Sequence, residues 1–291
     1  MGLALVSALL HVAWNLLAKS NKDKEAFAWL TNVGGGLFLL GLFVIFRLVS
    51  PSPIVPEVWL WAAISGIFQT LYVVFLFAAY AVADLSVVYP VNRGLAPILV
   101  MSLAWFLLGD GVTPLQGAGV TAAALGAAAV GLTNRGASGD GAKAFSWRGL
   151  PLCVLTAAAT AGYIMTDRKA MSLPQAPSAV DYLFISYIFL TAGLTAYLLW
   201  RRPRLRGVWA AFRADPKSVV LVSVFTPLSY LCIVAALAFS NVTVISAWRN
   251  VGIVMSVLAG GRFLREAAGW ARLTGAACVF AGLMVLALAK P

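Results

Sequence analysis

Charge is what this sequence has least of. Only 11% of its 291 residues are charged, with 10 acidic side chains and one histidine. Soluble globular chains carry about a quarter charged residues. An ordinary soluble enzyme is therefore excluded, and so is a charged disordered tail. Cysteine is scarce as well. Cys153, Cys232 and Cys278 each lie in an apolar run, and none forms a CxxC pair. That argues against a disulfide scaffold and against a zinc site. His11 stands alone and no carboxylate shares its helical face, so neither metal catalysis nor a cofactor is expected. The opening residues, Met1-Gly2-Leu3-Ala4-Leu5, have no basic n-region, and a cleaved signal peptide is not expected.

Apolar residues fill the space that charge leaves. They make up 62% of the chain, and the mean hydropathy is +0.91. A helix needs about 20 apolar residues to cross the hydrocarbon core. Ten runs qualify: 2–18, 26–49, 57–82, 85–108, 113–133, 148–168, 180–200, 217–239, 242–263 and 267–288. They are too long and too evenly apolar for barrel strands, which alternate over about ten residues. The predicted fold is an all-α integral membrane protein of ten transmembrane helices.

The polar stretch Asn134–Trp147 falls near the middle of the chain and contains Asn-Arg-Gly-Ala-Ser-Gly-Asp-Gly, a linker composition. It separates a five-helix repeat over 1–136 from a second over 148–291, with 137–147 as linker. Phe68–Tyr72 resembles Phe225–Tyr230, and Ala83–Val88 resembles Ser240–Ile245. Arg93 and Asp110 stand 17 residues apart, as do Arg249 and Glu266. An odd number of helices per half makes the halves inverted, a transporter signature.

The net charge of +11 comes from 21 basic and 10 acidic residues. In a soluble protein it would point to nucleic acid. Here it points to loops that orient a membrane protein, with the bilayer as partner and no nucleic acid. Fourteen Lys and Arg fall in the loops of one side and four in those of the other. The basic side is expected to be cytoplasmic, in a bacterial plasma membrane, with both termini outside.

Three cations fall inside the spans: Arg93, Arg249 and Arg272. Arg272 is close enough to a helix end to snorkel. Arg93 and Arg249 lie deeper, where a guanidinium costs a few kcal/mol on insertion scales. Each snorkels, pairs with a helix-end carboxylate such as Asp84, or binds an anionic ligand in a polar cavity. Their matched placement favours the ligand, and Arg suits bidentate capture of a carboxylate or phosphate-like group.

Other polar and aromatic groups are candidates to line that cavity. His11 and Asn15, four apart, share one helical face beside Trp14. His11 would carry a proton, bond substrate or bridge helices. Tyr89, Asn92, Trp248 and Asn250 flank the two arginines, and Tyr72 and Tyr230 hold matching places in the third and eighth spans. Interface anchoring or packing is the competing reading for each. Pro90, Pro97 and Pro227 are expected to break or bend their helices. Gly117, Thr121, Ala124, Ala128 and Gly131 in the fifth span form a small face for close packing, as do Ala271, Gly275, Cys278 and Gly282 in the tenth.

These stretches resemble the EamA type of the drug/metabolite transporter superfamily. The resemblance rests on His11–Lys19, on Tyr89–Pro97 leading to Leu107-Leu108-Gly109-Asp110, and on Arg249 through Phe263-Leu264-Arg265-Glu266. It covers essentially the whole chain. In that family the fourth and ninth helices commonly end in Leu-Gly-Glu. The acid survives here as Asp110 and Glu266, while Arg265 replaces the second glycine and Gly109 keeps the first. The resemblance implies a secondary transporter that carries a small metabolite between its two halves, as a monomer or homodimer, and not an enzyme. Sugar-phosphate exchangers among the relatives use basic residues that map onto Arg93 and Arg249, which implies an anionic or zwitterionic substrate. Small four-helix relatives couple to protons through a glutamate in the first helix. No acid stands there in this chain. Many relatives are assigned cytoplasmic termini, the reverse of what the loop charges indicate here.

An integral-membrane enzyme and a non-transporting sensor or scaffold are the alternatives. The sequence has no HExxH, and the inverted repeat speaks for transport. Orientation is directly testable. A reporter fused after Pro291 is expected to read outside the cytoplasm, and a cytoplasmic reading contradicts the charge argument.

Overall fold

The computed structural model describes residues 2–18, 23–50, 53–82, 85–108, 111–132, 149–201, 207–239, 242–248, 251–252 and 270–289. Every element among them is a helix. In chain order they are α1 (Gly2–Ala18), α2 (Lys24–Val49), α3 (Pro56–Val82), α4 (Leu85–Leu103), α5 (Pro114–Leu132), α6 (Leu150–Met171), α7 (Ala179–Arg201), α8 (Val208–Ala214), α9 (Pro216–Leu237), α10 (Val242–Trp248) and α11 (Trp270–Leu288). A π-helical turn, Ala104–Leu108, follows α4 directly. By length and composition α2, α3, α6, α7 and α9 are each able to cross a membrane. The first eight predicted spans coincide with α1 to α7 and α9. The ninth begins as α10 and runs on outside the described residues, and the tenth is α11.

Helix starts follow local chemistry. Asp23 Oδ1 accepts from Ala26 N at 3.1 Å to cap α2, and Asp215 Oδ1 accepts from Ser218 N at 3.0 Å to cap α9. Thr113 and Gln116 form a reciprocal capping box at α5, at 3.1 and 3.2 Å, so two otherwise orphan N–H groups are satisfied. The expected breaks at Pro90, Pro97 and Pro227 do not occur: α4 and α9 run through them. Pro227 removes the N–H that would meet the Ser223 carbonyl. That carbonyl faces Gly35 of α2, where an added Cβ would lie 3.2 Å from it. α8 lies between the predicted spans 180–200 and 217–239, where no helix was expected. Gly207 enters it at φ 101°, a left-handed conformation natural to glycine. Val208 and Ala211 then pack with Ala26 and Leu198, while Trp209 stays exposed.

The chain forms two compact units. One contains Gly2–Thr70 and Thr166–Phe239. Within it α9 packs on α1 and α2, and α2 packs on α7 and α8. Ser229 Oγ donates to the Ser7 carbonyl at 2.9 Å, and Trp29 Nε1 donates to Thr195 Oγ1 at 2.9 Å. Ion pairs clamp α2 against α7 at both ends: Arg47 with Asp181 at 3.9 Å, and Arg201 with Glu25 at 3.7 Å. Each charge sits at the helix terminus whose dipole favours its sign.

The other unit contains Leu71–Met165 and Ser240–Pro291. Here α5 packs on α4 and α11, and α10 packs on α4. A Cβ on Gly282 would stand 2.5 Å from the Gly119 carbonyl oxygen, and one on Gly126 would stand 2.6 Å from that of Gly275. Small residues thus bring α5 and α11 into backbone contact; α11 uses Gly275, Cys278 and Gly282 of its expected small face, whereas on α5 the register differs. Gly119, Ala123 and Gly126 meet α11. Gly117 borders open space, Thr121 is exposed, and Ala124 meets Gly94 of α4. Gly282→Ala must force two backbones apart, at a cost of about 1–3 kcal/mol. It should lower the melting temperature of the purified protein, and Gly117→Ala should not. Equal effects would contradict the packing register.

Candidate functional site

The polar candidates separate into two groups. In the unit built on α4, α5, α10 and α11, Asn92 lies on α4 and is 6% exposed. Its Oδ1 is buried and finds no hydrogen-bond partner among the described residues. Trp248 closes α10, and its Nε1 is likewise buried without a partner among them. An acceptor and a donor thus both lack a partner among the described residues, on two helices that pack together. A buried polar group left unpaired costs about 1–3 kcal/mol. Tyr72 contributes to the same unit by packing edge-on to Tyr163, with ring centroids 5.9 Å apart. Arg93 and Tyr89 lie on α4 by their backbone, and their side chains are outside the described residues. Arg249, Asn250, Gly109, Asp110, Arg265 and Glu266 are also outside them.

The second group is in the unit built on α1, α2, α7 and α9. Trp14 Nε1 donates to His11 Nδ1 at 3.1 Å, and the two rings meet edge-on at 4.8 Å. Trp14 also packs with Phe27, Val219 and Val222. The accepting Nδ1 implies a neutral His11 ring in this arrangement. Trp14 is thus used in packing and in orienting His11. Asn15 is on α1, with its side chain outside the described residues.

Tyr230 belongs to a site that the sequence reading did not find. Its hydroxyl donates a short hydrogen bond to Asp167 Oδ2. Asp167 is 0% exposed. Its Oδ1 accepts from Tyr182 OH at 2.7 Å and from Ser65 Oγ at 2.5 Å, and Gln69 Nε2 donates to Ser65 Oγ at 3.0 Å. Four helices converge on one carboxylate: α3, α6, α7 and α9. Small residues make this possible. At Gly66 a Cβ would lie 3.0 Å from the Ser186 carbonyl oxygen and the Leu190 nitrogen, so α3 runs against α7 and carries Ser65 in beside Tyr182. The next residue on α6, Arg168, donates from Nη1 to the Leu237 carbonyl at 2.5 Å and ties α6 to the end of α9.

A buried carboxylate needs hydrogen-bond donors in place of the water it loses. Three hydroxyls supply them here. They are neutral, so charge patterning gave no sign of them. Asp167 itself stands just before Arg168 and Lys169, at the margin of the predicted span 148–168, where it reads as a loop charge. A count of acids inside spans, made as it was for cations, would have found it.

Apolar helices in series, most of them with buried polar side chains, define a multi-pass integral membrane protein. The chain belongs to the EamA-like transporter family, whose pattern it matches twice, over residues 1–132 and 147–288. Members of this family move small molecules across membranes, and they are transporters rather than enzymes. No curated protein matches the chain. A crystal structure described only as that of a protein is similar in fold, with a TM-score of 0.75 and 19% sequence identity over 98% of this chain and 95% of the other.

Proposed function

We propose that this protein is a secondary transporter for a small organic metabolite that carries an anionic group and, in the zwitterionic case, an ammonium as well. Ten spans in two inverted five-helix repeats, 1–136 and 148–291, move it by alternating access. The observation that carries the reading is that Asn92 Oδ1 and Trp248 Nε1, on packed helices, are each buried with no partner among the described residues. An acceptor and a donor together suit a ligand with both kinds of group. An ammonium would meet the amide oxygen, and a carboxylate or phosphate-like group would meet the indole N–H. Arg93 follows Asn92 directly, and Arg249 follows Trp248 directly. Each buried polar group thus has a guanidinium-bearing neighbour in sequence, which supports an anionic partner. The twofold family match supports the inverted repeat and so the mechanism. The basic loops face the cytoplasm of a bacterial cell.

Binding tests the ligand class. Thermal-shift measurements on the detergent-solubilised full chain would cover small carboxylates, sugar phosphates, amino acids and neutral sugars. Stabilisation is expected from an anion or zwitterion and not from the neutral sugars. Asn92→Ala and Trp248→Phe should each weaken that binding about tenfold, equivalent to about 1.4 kcal/mol. The double variant Arg93→Ala, Arg249→Ala should abolish it. Unchanged affinity in the double variant would remove the two arginines from the site.

A further inference from the structure

We infer that the short helix α8, with the adjoining ends of α7 and α9, is a docking surface for the headgroups of anionic phospholipids. The inference needs only that the chain spans a membrane. It is independent of what the chain transports.

The level at which α8 sits comes first. α2, α7 and α9 are each long and apolar enough to cross a membrane. α2 begins at Lys24, α7 ends at Arg201 and α9 begins at Pro216. Hydrocarbon gives way to headgroups where such helices end. α8 packs at that level. Its Val208 and Ala211 pack with Ala26 of α2 and Leu198 of α7, each within one turn of its helix terminus. Phe212 packs with Phe27 of α2 and Val219 of α9.

A helix held by one face turns the other outward. Trp209 is 67% exposed, and Arg213, four residues on, is exposed on the same face. Trp200, in the last turn of α7, is 78% exposed. An indole has an apolar body and one N–H donor, which suits the boundary between acyl chains and headgroups.

Charge decides which lipid fits. Residues 201–217 hold six basic side chains and one acid. Arg202, Arg204 and Arg206 are outside the described residues and are not assigned to the surface. The acids at this end already serve the fold. Asp23 and Asp215 cap α2 and α9, and Glu25 meets Arg201 at 3.7 Å. Arg201 still exposes 54% of its side chain in that pair. Arg213 and Lys217 are exposed, and neither has an ion pair among the described residues. A guanidinium holds two phosphate oxygens by parallel hydrogen bonds. A zwitterionic headgroup would bring its own cation to this surface, whereas an anionic one complements it. Free phosphate has no acyl chain to lie against Trp200 and Trp209. A second copy of the same face would set like charges against each other.

Crosslinking locates the lipid. The full chain in phosphatidylcholine nanodiscs would receive a photoreactive phosphatidylglycerol or a photoreactive phosphatidylcholine, and labelled peptides would be mapped by mass spectrometry. The phosphatidylglycerol probe is expected to label 207–217 in preference to the other. Unlabelled phosphatidylglycerol should compete, and inorganic phosphate should not. Arg213→Gln combined with Lys217→Gln should lower that labelling about thirtyfold, about fivefold for each cation. Labelling of Trp105–Leu107, an exposed apolar stretch in the other unit, should stay unchanged. Trp209→Ala should lower the labelling of 207–217 with both cations in place. Equal labelling by the two probes, competition by inorganic phosphate, or unchanged labelling in the double variant would overturn the proposal. So would a light-scattering mass of two chains that falls to one in Trp209→Ala, since it would give this face to a second copy. None of these readouts involves flux, so their failure is distinct from a failure of transport.

Discussion

A hydrocarbon surrounding cannot hydrogen-bond, and most of this structure follows from that constraint. Backbone groups must be satisfied within each segment, which makes every described element a helix. Lipid also gives little hydrophobic drive for helices to associate, so their contacts depend on close backbone approach and polar links. Gly126 and Gly282 supply the approach between α5 and α11, and Gly66 supplies it between α3 and α7. Ser7 with Ser229 and Trp29 with Thr195 supply the links.

The same constraint sorts the polar residues by purpose. Where partners are complete, a buried polar group serves the fold. The partly buried caps Asp23, Thr113 and Asp215 at helix starts belong here. Where no partner is found among the described residues, as at Asn92 Oδ1 and Trp248 Nε1, the groups are those proposed to meet the ligand. Asp167 is a third case. Its described partners include three hydroxyls, from Ser65, Tyr182 and Tyr230.

Apolar run length made the helices legible in the sequence, because 3.6-residue periodicity matters less than the need for about 20 apolar residues in a row. α8 was hidden by the five arginines around it, although Val208 and Ala211 carry its buried face. The small-residue face of α5 was seen but misregistered. Glycine and alanine are so dense there that several stripes fit, and only the contact with α11 selects Gly119, Ala123 and Gly126. Asn92 and Trp248 stood out because polar and aromatic residues beside intramembrane arginines are conspicuous, and Tyr230 because it holds the place that Tyr72 holds in the other half. Tyr230 proved to meet Asp167, a residue masked by its position beside two cations. Ser65 and Gln69 were invisible as singletons, since only the fold brings them to a carboxylate 102 residues away from Ser65.

The central claim is transport of an anionic or zwitterionic metabolite, and counterflow tests it most directly. Proteoliposomes holding the purified chain would be preloaded with an unlabelled candidate identified by binding, then given trace labelled compound outside. Alternating access predicts transient accumulation of label that depends on the internal compound. Label that merely equilibrates at the rate of protein-free liposomes, for every compound that binds, would contradict the account.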